Sequence, residues 1–372
     1  MKLFHPMQNL IVERRHEISK YLSEYILKDV ADLISLYDYY LAGISTVIKS
    51  CVTLFDIFPD GLIVYYDRVT FEIKIFNPSK SSVCDLKTDN DMIVGKDDGI
   101  NILTAHPCGY VISASIASNG TIKLWNILNK TCTELKGHTL GINYITVLSN
   151  SKHFIASASS DNTIKIWNIA LTDPNNCSDS AGASDSASDS ARASVSACIC
   201  TIDNPAGGSV RCINSLSGGR LVCGSDNDIV RIWSFDDKGN SQCDHTIFPG
   251  TAVYNIFTLA DGRIACELFS KINMWDLKGT GKYLRDKVIN ADQIISCSTM
   301  LPNGKIIIGL KNYIGLKNQI KIFSANIKSQ TDIYVEEPNI IFDCDKPLIC
   351  VKIYPDGRVV SVDEAGLLKM WC

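Results

Sequence analysis

What this chain has little of narrows its chemistry first. Only six of its 372 residues are histidine, and they are scattered. Its 15 cysteines include no CxxC pair, the nearest two being Cys198 and Cys200. Structural zinc takes paired Cys or His at ligand spacing, so no metal site is expected. An odd number of spread cysteines is no disulfide framework either. Cys212, Cys223, Cys266, Cys297 and Cys350 stand in apolar runs, where a free thiol behaves as a small hydrophobe in a reducing compartment.

Long apolar runs are missing too. No stretch approaches the roughly 18 residues that span a bilayer. The first residues, up to His16, are broken by His5, Pro6, Gln8 and Asn9, unlike a signal peptide. The expectation is an intracellular, cytoplasmic protein with no membrane insertion. Nucleophile elbow, P-loop and dinucleotide fingerprint are all absent, and Gly207-Gly208 and Gly218-Gly219 read as hairpin glycines. No enzyme, no catalytic residue and no cofactor are expected. A net charge of -4 with 20% charged residues gives no bulk reason to bind nucleic acid.

What is present is a repeat. Seven segments share one ending: EIKIF to Phe76, TIKLW to Trp125, TIKIW to Trp167, VRIW to Trp233, INMW to Trp275, QIKIF to Phe323 and LKMW to Trp371. Apolar and polar residues alternate in each, as in half-buried strands. Successive aromatics lie 49, 42, 66, 42, 48 and 48 residues apart. The base period is a propeller blade length, about 40–45 residues. Before each aromatic comes a turn: Pro59-Asp60-Gly61, Pro107-Cys108-Gly109, Ser149-Asn150-Ser151, Gly218-Gly219, Asp261-Gly262, Asn303-Gly304 and Asp356-Gly357. Such residues suit tight hairpins. The prediction is an all-β chain, a seven-bladed propeller over residues 44–372 behind a short helical segment, 1–42.

Residues 137–168, GHTLGINYITVLSNSKHFIASASSDNTIKIWN, closely resemble the WD40 repeat. The resemblance implies that His138, Ser157, Asp161 and Trp167 form a hydrogen-bonded structural tetrad. The chemistry suits them, since a buried indole N–H needs an acceptor. Other repeats depart: Lys96 and Asn119 replace the His and Asp in blade two, and Ala206 the His in blade four. Blades one, five, six and seven lack the tetrad, so apolar packing is expected to hold them. The family also implies closure by an N-terminal strand, here around STVIKS (45–50), which completes the last blade. Its function is typically that of a protein-interaction scaffold. Its partner-binding entrance maps onto Asn101, Asn143, Ser160, Arg211, Asp226, Tyr254 and Pro347. Arg and Tyr are side chains enriched in interface hot spots.

Two segments stand apart. Residues 177–197, CSDSAGASDSASDSARASVSA, cannot bury enough apolar surface to offset ordering entropy and are expected to be disordered. They read as a tolerated loop expansion or as a phosphorylated acidic-Ser switch. Residues 7–42 contain no Pro or Gly, and their apolar spacing predicts one or two amphipathic helices. The stretch HEISKYLSEYILKDVADLISLYDYYL (16–41) resembles a degenerate F-box. That likeness implies a Skp1-like adaptor on Ile18, Leu22, Val30 and Leu33, and a ubiquitin-ligase substrate receptor. The usual Leu-Pro opening and following Trp are missing. The other reading is a helix packed over the propeller's closure. The pattern YDYYLAG (37–43) is similar to helical leaders on WD-repeat proteins of large DNA viruses.

Overall fold

Each sequence repeat forms one antiparallel sheet of four strands. A computed structural model describes residues 45–78, 92–96, 99–115, 120–148, 153–172, 197–204, 208–236, 238–259, 261–277, 285–301, 304–311, 318–324 and 340–371. Blade one runs through Val52–Ile57, Ile63–Asp67, Glu72–Phe76 and Met92–Lys96. Blade two takes Ile102–His106, Tyr110–Ala114, Ile122–Asn126 and Thr131–Leu135. Blade three takes Ile142–Val147, Phe154–Ser159, Thr163–Asn168 and Cys198–Asp203. Blade four is Val210–Ser215, Leu221–Ser225, Val230–Phe235 and Ser241–Ile247. Blade five is Asn255–Thr258, Ile264–Glu267, Lys271–Trp275 and Arg285–Asn290. Blade six is Ile294–Met300, Lys305–Lys311, Asn318–Ser324 and Ile340–Cys344. Blade seven has Leu348–Ile353, Val359–Asp363 and Leu368–Trp371, and its outer strand is Ser45–Lys49.

The first strands of neighbouring blades touch in a closed ring, from blade one to blade seven and back. The fold is therefore a seven-bladed β-propeller, whose closure leaves no inner sheet edge to aggregate. Its compact unit runs from Val47 to Met370.

The core lies between blades. All seven strand-ending aromatics are buried. Six of them pack across an interface with the preceding blade: Trp167 clusters with Ile112 and Leu124, Trp233 with Ile164, and Phe323 with Met274. Room for the rings comes from small residues on the preceding blade. A Cβ at Gly95, on blade one's outer strand, would lie 2.1 Å from Trp125 Cζ3.

Polar links are more widespread than the one repeat with all four tetrad residues suggests. In blade two, Trp125 Nε1 donates to Ser113 Oγ at 2.9 Å. In blade four the buried Arg231 donates to Asn204 Oδ1, and Asn204 Nδ2 donates to Ser225 Oγ at 3.1 Å. Blades one and seven pair Lys74 with Asp67 at 2.8 Å and Lys369 with Asp363 at 3.5 Å. Blades one, four and seven thus add a cation–acceptor pair to the apolar packing expected to hold most of the ring. Another difference is the edge of the Ser/Ala/Asp stretch. Ala197 accepts from Asn168 N at 2.8 Å, so the blade has resumed there. The remainder of that stretch, 177–196, and the whole of 1–42 lie outside the described residues, as do Asn119 and Ala206.

Candidate functional site: the entrance end of the blades

In the five blades whose turn between second and third strands is described throughout, that turn shares an end with the chain's entry into the first strand. Backbone bonds fasten the two together: Ser160 N to Gly141 O at 3.0 Å, Asp226 N to Ser209 O at 3.2 Å, and Glu364 N to Pro347 O at 2.9 Å. Five first strands also carry a register shift at one equivalent point, between Val52/Leu54, Ile142/Tyr144, Val210/Cys212, Ile295/Cys297 and Leu348/Cys350. A bulge leaves the extra residue unpaired and re-aims its side chain. Thr53, Asn143, Arg211, Ser296 and Ile349 are those residues, so the backbone itself builds a ring of side chains at this end.

The sequence-derived binding residues do not all behave alike there. Asn143 is a clamp between blades three and four. Its Nδ2 donates to Ser209 Oγ at 2.7 Å and to Val210 O at 2.9 Å, while its Oδ1 accepts from Ser160 Oγ at 3.1 Å. Both Asn143 and Ser160 are half-buried and spent on this joint. Arg211, Asp226 and Tyr254 form a second group. The guanidinium lies 3.9 Å from Asp226 Oδ2 and 5.9 Å from the centroid of the Tyr254 ring. Cation–π contact of this kind is worth about 0.5–1 kcal/mol where exposed. Asn101 is exposed on blade two and Pro347 half-buried on blade seven.

Apolar exposure singles out the same end. Nine large hydrophobic side chains are exposed among the described residues, and seven are here: Val69, Phe71, Leu140, Phe248, Tyr254, Phe269 and Ile349. Phe269 is 54% exposed at the tip of a hairpin closed by the Leu268 N to Lys271 O bond of 2.8 Å. The backbone of that tip is held from two sides: Ile295 N of blade six donates to Phe269 O at 3.0 Å, and Ala291 N, just past blade five's outer strand, donates to Ser270 O at 3.0 Å. The ring is thus displayed on a fixed backbone. Sequence reasoning missed Phe248 and Phe269. The signal was available in register, because blade five's second–third turn is one residue shorter than blade four's.

The tetrad residues sit beneath this end on blade three as one chain of hydrogen bonds. Trp167 Nε1 donates to Ser157 Oγ at 2.8 Å, and Ser157 Oγ lies 2.7 Å from His138 Nε2. His138 Nδ1 lies 2.8 Å from Asp161 Oδ2. An ionised carboxylate can only accept, so His138 gives its Nδ1 proton to Asp161, and the bare Nε2 of the neutral ring then accepts from Ser157 Oγ. This tautomer is neutral, in keeping with burial, which holds the imidazole below its ordinary pKa against the raising effect of Asp161. Asp161 also accepts from Thr139 N at 2.9 Å and from Thr163 Oγ1 at 2.7 Å. Every donor is used inside the blade, which makes this a fastening.

Among the described residues no group of three or more His, Cys, Asp or Glu could hold a metal ion. No helix there is long and apolar enough to cross a membrane.

A family model described as WD domain, G-beta repeat matches residues 129–168 and 196–234, which are blades three and four with their approaches. Among solved structures, a chain of the crystal structure of the mitotic checkpoint complex is similar, with a TM-score of 0.64 and 14% identity over 86% of each chain. At that identity the likeness concerns the fold alone. No curated protein sequence matches the chain.

Proposed function

We propose that this seven-bladed propeller, which carries WD40 repeats, is a non-catalytic protein-interaction scaffold whose partner docks on the entrance end over blades four and five. One observation carries the reading: seven of the nine exposed large hydrophobics lie at that end, and three of them, Phe248, Tyr254 and Phe269, are neighbours in sequence on blades four and five. Exposed apolar residues scattered singly mean little, but their concentration beside polar groups marks an interaction surface. Arg211, Tyr254 and Phe269 supply the Arg and aromatic anchors on which interface energy concentrates. The fold adds general support, because WD40 propellers are typically interaction scaffolds and not enzymes.

The test is an affinity-purification inventory of the intact chain against two variants. Tyr254→Ala with Phe269→Ser alters the entrance end; Leu128→Ser alters the opposite end, where Leu128 is 87% exposed. The entrance variant is expected to lose the captured proteins while the other keeps them. Equal inventories for all three end the assignment. The adaptor role implied by the F-box-like stretch rests on the sequence of residues 16–41. It is tested separately, by whether a Skp1-like adaptor co-purifies with the intact chain and is lost on deleting residues 1–42.

A further inference from the structure

Two polar residues face each other where the other blades place apolar ones. Glu267 pairs in register with Asn255. The equivalent partners in the other blades are Tyr66, Ala114, Ala158, Gly224, Gly309 and Val362. Space at this position is short. A Cβ at Gly224 would meet Val253 Cγ1 at 2.8 Å, and one at Gly309 would meet Cys297 Sγ at 2.6 Å. Blade five nonetheless carries a carboxyl there, buried and directed at blade six.

Its partner is also out of pattern. Ser298 Oγ donates to Glu267 Oε2. The residues in Ser298's place on the other first strands are Phe55, Leu103, Ile145, Ile213, Ile256 and Val351, all buried. A carboxyl and a hydroxyl have therefore replaced two core side chains at one seam. The link continues inward: Asn255 Nδ2 lies 3.4 Å from Ser298 Oγ, and Tyr144 Oη lies 3.5 Å from Asn255 Oδ1. Outward, Glu267 O accepts from Tyr254 N at 2.9 Å, and Phe269 follows two residues on. No charged side chain among the described residues opposes Glu267. The titratable groups whose fields meet it are the buried thiols Cys212 and Cys297.

We propose that the seam between blades five and six is a proton-operated joint, closed while Glu267 holds its proton and loosened when that proton leaves to solvent. A buried carboxylate without a cation is costly, whereas the neutral acid is accommodated by one hydroxyl. Burial pushes the Glu267 carboxyl up to about 7, although the Ser298 bond works the other way. Opening hydrates the carboxylate and frees the backbone that displays Tyr254 and Phe269. That this alters partner docking rests on the entrance-end reading; the joint itself does not.

Amide hydrogen exchange on the intact chain, corrected for intrinsic rates, tests the joint without any partner. Opening of peptides covering residues 264–275 and 294–311 is expected to grow on the order of a hundredfold from about pH 5 to about pH 7, then level off. Peptides covering residues 154–168 of blade three should not follow. Glu267→Gln is expected to flatten the response. Ser298→Ala keeps the acid but removes the donor that lowers its pKa, so the levelling point should move to higher pH. This second variant decides the matter if the first folds poorly. An unchanged pH response in the variants, or one spread evenly over all blades, overturns the proposal.

Discussion

Lys352 on the first strand of blade seven lies with its Nζ 3.4 Å from Asp56 Oδ1 on the first strand of blade one. Asp56 does more than pair. Its Oδ2 accepts from Ala105 N of blade two at 2.9 Å, and its Oδ1 from Ile57 N at 3.0 Å. One carboxylate therefore ties three consecutive blades across the point where the ring closes. Asp56→Ala is expected to cost about 1–3 kcal/mol, because it orphans a half-buried amide as well as removing the ion pair. Lys352 is 39% exposed, so Lys352→Ala should cost less, about 0.5–1 kcal/mol. Denaturant titration of both variants checks the order; equal losses would mean that the ion pair, not the amide, matters.

In blade three the carboxylate of Asp161 accepts four hydrogen bonds, from His138, Thr139 N, Thr163 N and Thr163 Oγ1. Asp161→Ala should therefore destabilise by roughly 2–4 kcal/mol, and Trp167→Phe, which loses one bond and some packing, by about 1–2 kcal/mol. Added together, these losses should exceed that of the double variant, since the residues form one network. Strict additivity in urea unfolding would show that the chain of bonds does not act as a unit.

Acid should attack the protein through its histidines. Burial pushes His106 down to about 4, with the His153 charge adding to the effect, and it holds His138 below its ordinary value. A histidine depressed in the folded state stabilises fully above the unfolded pKa of about 6.5 and loses that contribution as pH falls through its folded pKa. Melting temperature should accordingly fall as pH drops from about 6.5 toward 4. Glu267 runs the other way: its raised pKa favours the fold at low pH and costs stability as pH climbs from about 4.5 to about 7. The two opposing slopes predict a shallow optimum, and Glu267→Gln should lift its alkaline side. A melting-temperature series across this range, with and without the substitution, decides it.

Gly95→Ala is expected to destabilise the joint between blades one and two by about 1–3 kcal/mol, as overpacking does. The clash is with a ring edge, at 2.1 Å from Cζ3 and 2.6 Å from Cε3 of Trp125. Combining it with Trp125→Leu should recover part of the loss in a double-mutant cycle. An additive pair would place the cost elsewhere.

The blade count was legible because one aromatic and one hairpin recur with a fixed period, and a period survives local variation. The tetrad residues were legible for a related reason, since donor and acceptor types stood at WD40 spacing. Asn143 and Ser160 were assigned to the entrance by family geometry alone; their bonds to Ser209 of the neighbouring blade leave no trace in the sequence. Phe248 and Phe269 escaped because turn residues follow no alternation. Glu267 and Ser298 escaped for a subtler reason. Each looks unremarkable on its own strand, and their oddity exists only when all seven registers are laid over one another.

The outer strand of blade seven, Ser45–Lys49, is synthesised before any strand of blade one, yet its neighbour in the sheet is Leu368–Trp371. At ribosomal speeds of about 5–20 residues per second, that strand waits on the order of tens of seconds for its mate. Through that interval its apolar residues Val47 and Ile48 have no sheet to join, and six blades can condense without the ring being locked. The nascent chain is therefore most open to mispairing with another copy of itself at the strand that, among the described ones, is made earliest and needed last.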